Sequence, residues 1–366
     1  MSLAARNQID VTVRLAGNVI AAIEILPRAR PPLSRLFAGR PPASLLNMLP
    51  RIFSLCAAAH QVAFLSASEA ARGEEISIAT RQHRIALIVA ERLAELLRSL
   101  LVGHFALDTT SAAAIRALMD GVSMLFGSTE PSAGQVRRGA TARVAGALAA
   151  LGISDEDGAP TLASPLARRI AALEEDNTLN LVQMQHSFLS VADDCDVIER
   201  LLADGAEFCH RPDLEGRIPE TGAWARQMMR DQLSPVRWGP AERLKARIAE
   251  IARECAWLQA SAYVEPAENG IVESYRLGRG RGAAAVECAR GRLYHAVELD
   301  RQGQMSRFEL LAPTEWNFHA RGPVVRSLEG AVLTARQQGR GAVRAMIASF
   351  EPCVGFTLNF RDVGDA

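Results

Sequence analysis

Lysine, net charge and aromatic residues are all scarce in this 366-residue sequence. Lys245 is its single lysine, so arginine supplies nearly all of the basic charge. The 41 basic residues balance the 41 acidic residues, which gives a formal net charge of zero at pH 7. Because nucleic acids and anionic membranes attract strongly basic proteins, we expect neither of them as a partner.

Long uninterrupted apolar runs are also missing. The apolar stretch 85–102 contains Glu91, Arg92, Glu95 and Arg98, which is typical of an amphipathic core helix and not of a membrane span. The N-terminus has no apolar segment of the kind found in secretory signals. No CxxC pair occurs, so we expect a cytoplasmic protein with free thiols or metal ligands instead of a disulfide framework. The six cysteines stand apart at positions 56, 195, 209, 255, 288 and 353.

The spacing of apolar residues predicts an α+β protein with a mainly helical core, an N-terminal β-hairpin and late short strands. Alternation around the turn at 16–18 predicts the hairpin, with strands over 11–15 and 19–26. Apolar spacing of three and four predicts helices over 52–72, 82–104, 111–126, 136–151, 180–203 and 241–259. Later segments predict strands over 271–277, 283–288, 293–299 and 305–311, then helices over 323–336 and 341–350.

No internal repeat or low-complexity tract divides the chain, so we expect a single domain over residues 1–366. Residues 1–75 hold the hairpin and the first cysteine helix, 76–268 the helical bulk, and 269–366 the strands and the last cysteine. Because the helical bulk lies between two β-rich ends, we expect the hairpin and the late strands to lie together. That arrangement would bring Cys56 close to Cys353.

Two short segments carry the functional interpretation. Residues 51–60 read Arg-Ile-Phe-Ser-Leu-Cys-Ala-Ala-Ala-His, which places His60 one helical turn after Cys56. Residues 350–356 read Phe-Glu-Pro-Cys-Val-Gly-Phe and contain Cys353. An isolated cysteine in an alanine-rich helix is usually a buried small hydrophobe, and a helix histidine is usually a core residue.

Six segments in order resemble the large subunit of nickel-iron hydrogenases. They are 14–18 (Arg-Leu-Ala-Gly-Asn), 51–60, 220–226 (Glu-Thr-Gly-Ala-Trp-Ala-Arg), 289–295 (Ala-Arg-Gly-Arg-Leu-Tyr-His), 313–317 (Pro-Thr-Glu-Trp-Asn) and 351–359. In that family two cysteine pairs give four thiolates to a binuclear nickel–iron centre. By this resemblance, Cys56 matches a thiolate that bridges nickel and iron, and Cys353 matches one that binds nickel only. A ligand role for both cysteines is therefore what the family resemblance of these two segments implies.

Four matched positions depart from the family pattern. Phe53 and Phe356 stand where the family has its other two thiolates, and phenylalanine has no lone pair for a metal. Ala16 stands at the proton-relay glutamate, and alanine cannot carry a proton. Asn359 replaces the terminal histidine, with residues 360–366 following it. We therefore expect no hydrogenase activity and no bound nickel.

The remaining matches concern the iron side of the centre. Arg290 matches the arginine whose donors face the cyanide ligands of the iron, although it could instead pair with Glu287. Thr314 matches a hydroxyl position near the same ligands. We expect His60 to contact a metal ligand and not the metal itself. This combination resembles the HupK/HoxV type of accessory protein, a shortened large-subunit paralogue associated with hydrogenase maturation.

The resemblance implies a scaffold that transiently holds iron with its cyanide and carbonyl ligands. It would pass this group to the hydrogenase large-subunit precursor, together with maturation chaperones. Two thiolates bind more weakly than four, so release to the final acceptor is downhill. Two alternatives stay open: a metal-free paralogue that acts only in protein assembly, and an active hydrogenase subunit. The metal content of the protein separates the iron scaffold from the metal-free paralogue. A hydrogen uptake assay tests for an active hydrogenase subunit.

The other polar and thiol groups are given structural roles at this point. Cys195, Cys209, Cys255 and Cys288 match no family ligand, so we expect them to be structural. The acidic run 193–196 is interpreted as a solvated helix face. Two further charged residues are expected to tie a loop to the helical bulk, namely Glu220 and Arg226.

Overall fold

The computed structural model describes residues 8–27, 32–104, 109–127, 134–153, 160–161, 164–233, 237–260 and 270–364. The described elements combine many helices with two β-sheets, which confirms the predicted α+β class with its mainly helical core. None of the helices in these ranges is long and apolar enough to cross a membrane.

The bounds of the elements are as follows. The helices are α1 (Leu33–Phe37), α2 (Pro42–Leu46), α3 (Leu49–Ile52), α4 (Ala57–Arg72), α5 (Ile78–His104), α6 (Thr109–Gly127), α7 (Gly134–Ala150), α8 (Pro165–Glu175), α9 (Asp194–Asp204), α10 (Ala206–His210), α11 (Ala223–Arg230), α12 (Pro240–Ala260), α13 (Pro313–Asn317), α14 (Pro323–Leu328) and α15 (Arg336–Ala348). The strands are β1 (Gln8–Ala16), β2 (Val19–Leu26), β3 (Leu179–Asn180), β4 (Val272–Arg276), β5 (Arg281–Cys288), β6 (Gly291–Leu299), β7 (Met305–Leu311), β8 (Val332–Leu333) and β9 (Gly355–Asp362).

The first sheet has the strand order β3-β8-β2-β1-β9 and contains the predicted hairpin of β1 and β2. Its edge strand β9 lies parallel to β1, in a regular register that runs from Gln8 opposite Gly355 to Leu15 opposite Asp362. The strand after Cys353 was not predicted. Its pairing with β1 joins the two ends of the chain and fixes where the last cysteine lies.

The second sheet contains the four predicted late strands as an antiparallel meander, in the order β4-β5-β6-β7. The expectation that the hairpin and these four strands lie together was wrong at the level of the sheets. Strand β1 of the hairpin is paired with β9 and β2 instead. The two sheets are separate, and the segments that surround Cys56 and Cys353 reach a common region from different sides.

Helix α4 packs on the second sheet at very short range. Its buried face is rich in alanine, and it crosses β5 at Gly282. A Cβ atom at Gly282 would lie 2.3 Å from the backbone nitrogen of Ala71 and 2.4 Å from the carbonyl oxygen of Ala67. Only glycine permits this approach, since a methyl group would push the helix away from the sheet.

Three predicted helices are shorter than the apolar spacing indicated. The helix predicted over 52–72 begins only at Ala57, because Cys56 before it adopts a positive φ of 58°. The helix predicted over 180–203 begins only at Asp194, because the preceding residues extend along another segment, with the Leu189 amide donating to the Glu220 carbonyl at 2.9 Å. The helix predicted over 323–336 ends at Leu328. Gly330 then adopts a positive φ of 79° and donates its amide to the carbonyl of Ile20 in β2, which ends the helix.

The acidic run 193–196 is only partly a solvated face. That interpretation was wrong for Asp193 and Asp194, which are both buried. The Asp194 carboxylate is fully buried and forms an ion pair with the buried guanidinium of Arg292. It also accepts hydrogen bonds from Tyr294, at 2.9 Å, and from Tyr275. Asp194 therefore ties α9 to strands β4 and β6 of the second sheet.

A histidine pair lies under α4. The His295 side chain on β6 is fully buried, with its Nε2 atom 3.0 Å from Nδ1 of His60. The rings of Phe64 and Phe308 pack edge-on against it. Burial lowers the pKa of His295 from 6.5 to about 3, so the folded protein holds this imidazole neutral.

Replacing Asp194 with alanine should lower the free energy of unfolding by about 3–5 kcal/mol, because it leaves the Arg292 charge buried without its partner. Urea unfolding followed by circular dichroism measures this loss. Asp196 is exposed on the same helix, and Asp196→Ala should change stability by less than about 0.5 kcal/mol. Equal losses in the two variants would contradict the assigned role of the buried pair.

The neutral His295 predicts a loss of stability in acid. Below the unfolded pKa of 6.5 the unfolded chain binds a proton that the folded protein excludes, so stability falls as the pH falls. Between about pH 7.5 and about pH 5.5 this group alone should cost about 1.4 kcal/mol. Urea unfolding at both pH values, compared between the wild type and His295→Gln, isolates the contribution. The same pH dependence in both proteins would refute it.

Candidate metal centre between two cysteine segments

Cys56 lies at the first turn of α4 in an unusual backbone conformation. It precedes the helix with a φ of 58°, in the left-handed region that non-glycine residues rarely adopt. Glu351, two residues before Cys353, has a φ of 50°. Both cysteine segments therefore contain a residue whose backbone is strained by about 1–3 kcal/mol, as is common at functional sites.

The N-terminus of α4 is capped by a carboxylate from another helix. The side chain of Glu91 on α5 accepts hydrogen bonds from the amides of Ala58 and Ala59, at 2.7 and 2.8 Å. Burial raises the pKa of Glu91 to about 7, although these two amides oppose the shift. The cap satisfies amides that the Cys56 side chain leaves without a partner, and it holds α4 in place relative to α5.

Arg290 lies in the two-residue turn between β5 and β6 and reaches both helices. Its Nη1 atom donates to Sγ of Cys56 at 3.2 Å and to Oε2 of Glu95 at 3.1 Å. It does not pair with Glu287, which instead contacts Arg226 at 2.6 Å. The alternative of an Arg290–Glu287 pair was therefore wrong.

The charge of Arg290 is retained although the side chain is buried. Burial disfavours the charged guanidinium, but neighbouring thiols and carboxylates outweigh it and raise the pKa of Arg290 above its ordinary value. The groups responsible belong to Cys56, Glu95, Glu351 and Cys353. Both candidate ligands thus lie within the electrostatic reach of one guanidinium.

Cys353 lies on the other side of the same region, just before β9. The hydroxyl of Thr314, at the start of α13, donates to Sγ of Cys353 at 3.2 Å. Thr314 is buried, whereas Cys353 is partly exposed. Cys56 therefore accepts a hydrogen bond from Arg290, and Cys353 accepts one from Thr314. Both donors are residues that the family resemblance associates with the iron side of the centre.

A cavity of about 680 Å³ gives access to this region. Its wall includes Arg290, Cys353 and Phe356, while Cys56 lies behind Arg290. Five arginines line it, against a single lining carboxylate, Glu351, which pairs with Arg247 at 3.2 Å. These arginines are Arg98, Arg169, Arg247, Arg290 and Arg344. The cavity is therefore suited to an anionic guest.

Two candidate residues lie away from the cavity wall. His60 is buried and stacked face to face on Phe53, with ring centroids 3.7 Å apart. Its Nδ1 atom contacts His295, as described above. Phe53, which stands at the position of a family thiolate, thus packs on the imidazole of His60 at the start of α4.

The other departures from the family pattern are spread along the first sheet. Phe356 lines the cavity at the start of β9. Asn359 is exposed in the middle of β9, opposite Thr12, and residues 360–362 continue the same strand. Ala16 is exposed at the far end of β1, about 26 Å along the strand from Gln8. The structure therefore does not bring Ala16 to the cavity.

Three residues at the site were not predicted from the sequence. The thiol of Cys288 at the end of β5 forms a hydrogen bond with Cys56, and this bond, together with burial, raises the pKa of Cys56 well above its ordinary value. Glu91 and Glu95 occupy one face of α5, four residues apart. The spacing of these two carboxylates on one helix face was the available signal, but their partners Ala58, Ala59 and Arg290 come from distant parts of the chain.

Protein side chains alone do not complete a metal site here. Within the residue ranges that the structure describes, no group of three or more histidine, cysteine or acidic side chains could hold a metal ion. A metal bound through Cys56 and Cys353 would need to bring further ligands with it.

The expected supporting roles of Glu220 and Arg226 are confirmed. Glu220 is buried and pairs with Arg243 of α12 at 2.8 Å. Arg226 pairs with Glu250 of α12 and with Glu287 of β5, each at 2.6 Å. The first pair connects the loop before α11 to α12. The other two connect α11 to α12 and to β5, the strand that leads into the Arg290 turn.

Solved structures share the fold at low sequence identity. The nickel-iron-selenium hydrogenase of Desulfomicrobium baculatum matches with a TM-score of 0.57 and 13% identity, over 93% of this chain and 95% of that chain. The nickel-iron-selenium hydrogenase of D. vulgaris Hildenborough matches with a TM-score of 0.56 and 12% identity, over 94% and 98%. The fold is that of the hydrogenase large subunit.

Curated relatives are much closer in sequence, although no family model matches the chain. The hydrogenase expression/formation protein HupK of Bradyrhizobium diazoefficiens is 56% identical over 366 residues, which covers 100% of both chains. HupK of Rhizobium leguminosarum bv. viciae is 32% identical, over 98% of this chain and 97% of its own. HoxV of Cupriavidus necator is 33% identical over 45% of this chain and 44% of its own. The chain belongs to the HupK/HoxV family of hydrogenase expression/formation proteins.

Proposed function

We propose that this protein acts in hydrogenase maturation as a scaffold that transiently holds iron with two cyanide ligands and one carbonyl ligand. Cys56 and Cys353 supply the two thiolates, and the acceptor is the precursor of a hydrogenase large subunit, reached with the help of maturation chaperones. The relatives named as expression/formation proteins support the maturation role. The iron group is the cargo and not a resident cofactor.

One observation carries the proposal. Arg290 donates to Cys56 and Thr314 donates to Cys353, each at 3.2 Å, on two sides of one region. A hydrogen bond from a charged or hydroxyl donor stabilises a thiolate and lowers its tendency to take up a proton. The remaining donor capacity of the Arg290 fork is available for cyanide nitrogen atoms, which are good acceptors.

The charges around the cavity favour this cargo. Two thiolates, two cyanides and ferrous iron form a group with a formal charge of minus two, and five arginines line the cavity wall. Cys56 must lose its proton to bind, and its raised pKa makes that loss unfavourable without a metal. The site therefore binds the cargo with limited strength, as a transfer scaffold requires.

The two alternatives differ in their ligand chemistry. An active hydrogenase needs four thiolates, whereas Phe53 and Phe356 stand at two of the matched positions and contribute none. A metal-free assembly factor would not need hydrogen-bond donors placed on both cysteines. The paired contacts of Arg290 and Thr314 therefore favour the iron scaffold over both alternatives.

Protein purified without oxygen from cells that contain the maturation machinery should show infrared bands of metal-bound cyanide and carbon monoxide. Cys56→Ala and Cys353→Ala should each lose these bands and the bound iron, because a single thiolate cannot hold the group. Cys195 is exposed on α9 and provides the matched control, since Cys195→Ala should keep both signals. Wild-type protein without bands and without iron would favour the metal-free alternative.

Arg290→Lys should lower the iron occupancy roughly tenfold or more, because lysine lacks the planar fork that reaches both a thiolate and a cyanide. The cyanide bands of any remaining bound iron should shift in frequency. Arg98→Lys is the matched control, because Arg98 also pairs with Glu95, at 2.7 Å, but does not contact Cys56. Unchanged cyanide bands in Arg290→Lys would exclude a direct contact between Arg290 and the cyanides.

A further inference from the structure

Strand β9 is an unusually exposed edge strand. It spans eight residues, about 26 Å of backbone, and none of its residues is buried. In the part of the chain that the structure describes, β1 is the only strand paired with it. The backbone N–H and C=O groups on its other edge therefore have no strand partner among these residues.

Two features by which proteins usually protect such an edge, proline and a bulge, are missing, and the charged residues of the strand, Arg361 and Asp362, lie only at its end. Edge strands are commonly short, interrupted by proline or a bulge, or charged along their length. Residues 355–362 contain no proline, and their register with β1 is regular over all eight pairs. Phe356, Leu358 and Phe360 are only partly buried, so the strand also exposes apolar surface. Such an edge is a template for pairing with another chain.

Arginines lie on both sides of this edge. On the face formed by Phe356 and Phe360, the guanidinium groups of Arg344 and Arg340 lie over these rings, at 5.5 and 4.8 Å from the centroids. Arg361 is exposed on the opposite face of the strand, because neighbouring residues alternate between faces. A segment that paired with β9 would run between positive charges.

We infer that the free edge of β9 docks an extended, acidic segment of a partner protein by adding a strand to the first sheet. The position of the edge supports this, because Gly355 and Phe356 line the cavity that contains Cys353. A partner strand would thus lie directly beside the proposed cargo. The inference rests on the proposed function, from which the partner is taken to be the hydrogenase large-subunit precursor.

A second copy of this chain fits the edge less well. Pairing β9 with its own copy would place two sets of the same arginines along one seam, and like charges that face each other oppose association. An acidic segment instead gains main-chain hydrogen bonds and charge complementarity together.

Hydrogen exchange of the full-length protein, with and without the large-subunit precursor, tests the inference. Amides of residues 355–362 should become protected when the precursor binds. The double variant Arg340→Glu/Arg361→Glu should bind the precursor roughly tenfold more weakly or worse, while its cyanide and carbonyl bands remain, because neither residue lines the cavity. Arg138→Glu/Arg143→Glu, with two exposed arginines of α7, makes the same change of charge and should bind like the wild type.

Three outcomes of the precursor experiment would overturn the inference, and a fourth outcome concerns the protein alone. The first is no binding of the precursor, the second is protection confined to other segments, and the third is equal weakening in both double variants. The β9 amides could instead become protected without the precursor, as the protein concentration and the fraction of protein with doubled mass rise. That result would identify a second copy of the chain as the occupant and would also overturn the inference. The infrared bands decide the iron scaffold separately, so failure of one proposal is distinguishable from failure of the other.

Discussion

The candidate site depends on the buried charge of Arg290. Burial of a guanidinium is unfavourable unless anionic partners surround it, and here the partners come from three elements. Glu95 on α5 pairs with it, Cys56 at the start of α4 accepts its hydrogen bond, and Cys353 lies within its field. The same interaction that makes the charge tolerable therefore assembles the two cysteine segments.

Two packing constraints bring the cysteines to this charge. The close approach of α4 to β5, which Gly282 permits, fixes the helix that Cys56 begins. The parallel pairing of β9 with β1 fixes the chain that leaves Cys353. Glu91 then joins α4 to α5 through the first amides of α4. Each constraint acts on the backbone, so the two thiols are positioned by helix packing and strand pairing.

Two phenylalanines of the cysteine segments, Phe53 and Phe356, have different structural surroundings. Phe53 stacks on His60 and belongs to the packing beneath α4. Phe356 lines the cavity and begins the exposed strand β9. One aromatic ring thus fills space beneath α4, and the other lies where the cavity meets the exposed edge of the first sheet.

The sequence by itself determined the fold class, the hairpin, the four late strands and the residues around each cysteine, because these depend on local spacing and on motifs in order. It did not show that residues 181–190 lie outside any helix, that Asp194 is buried with Arg292, or that β9 pairs with β1. Nor did it identify Cys288, Glu91 and Glu95 as neighbours of Cys56 and Arg290. Only the tertiary structure decided these points, because each depends on partners far apart in the chain, where local patterns carry no information.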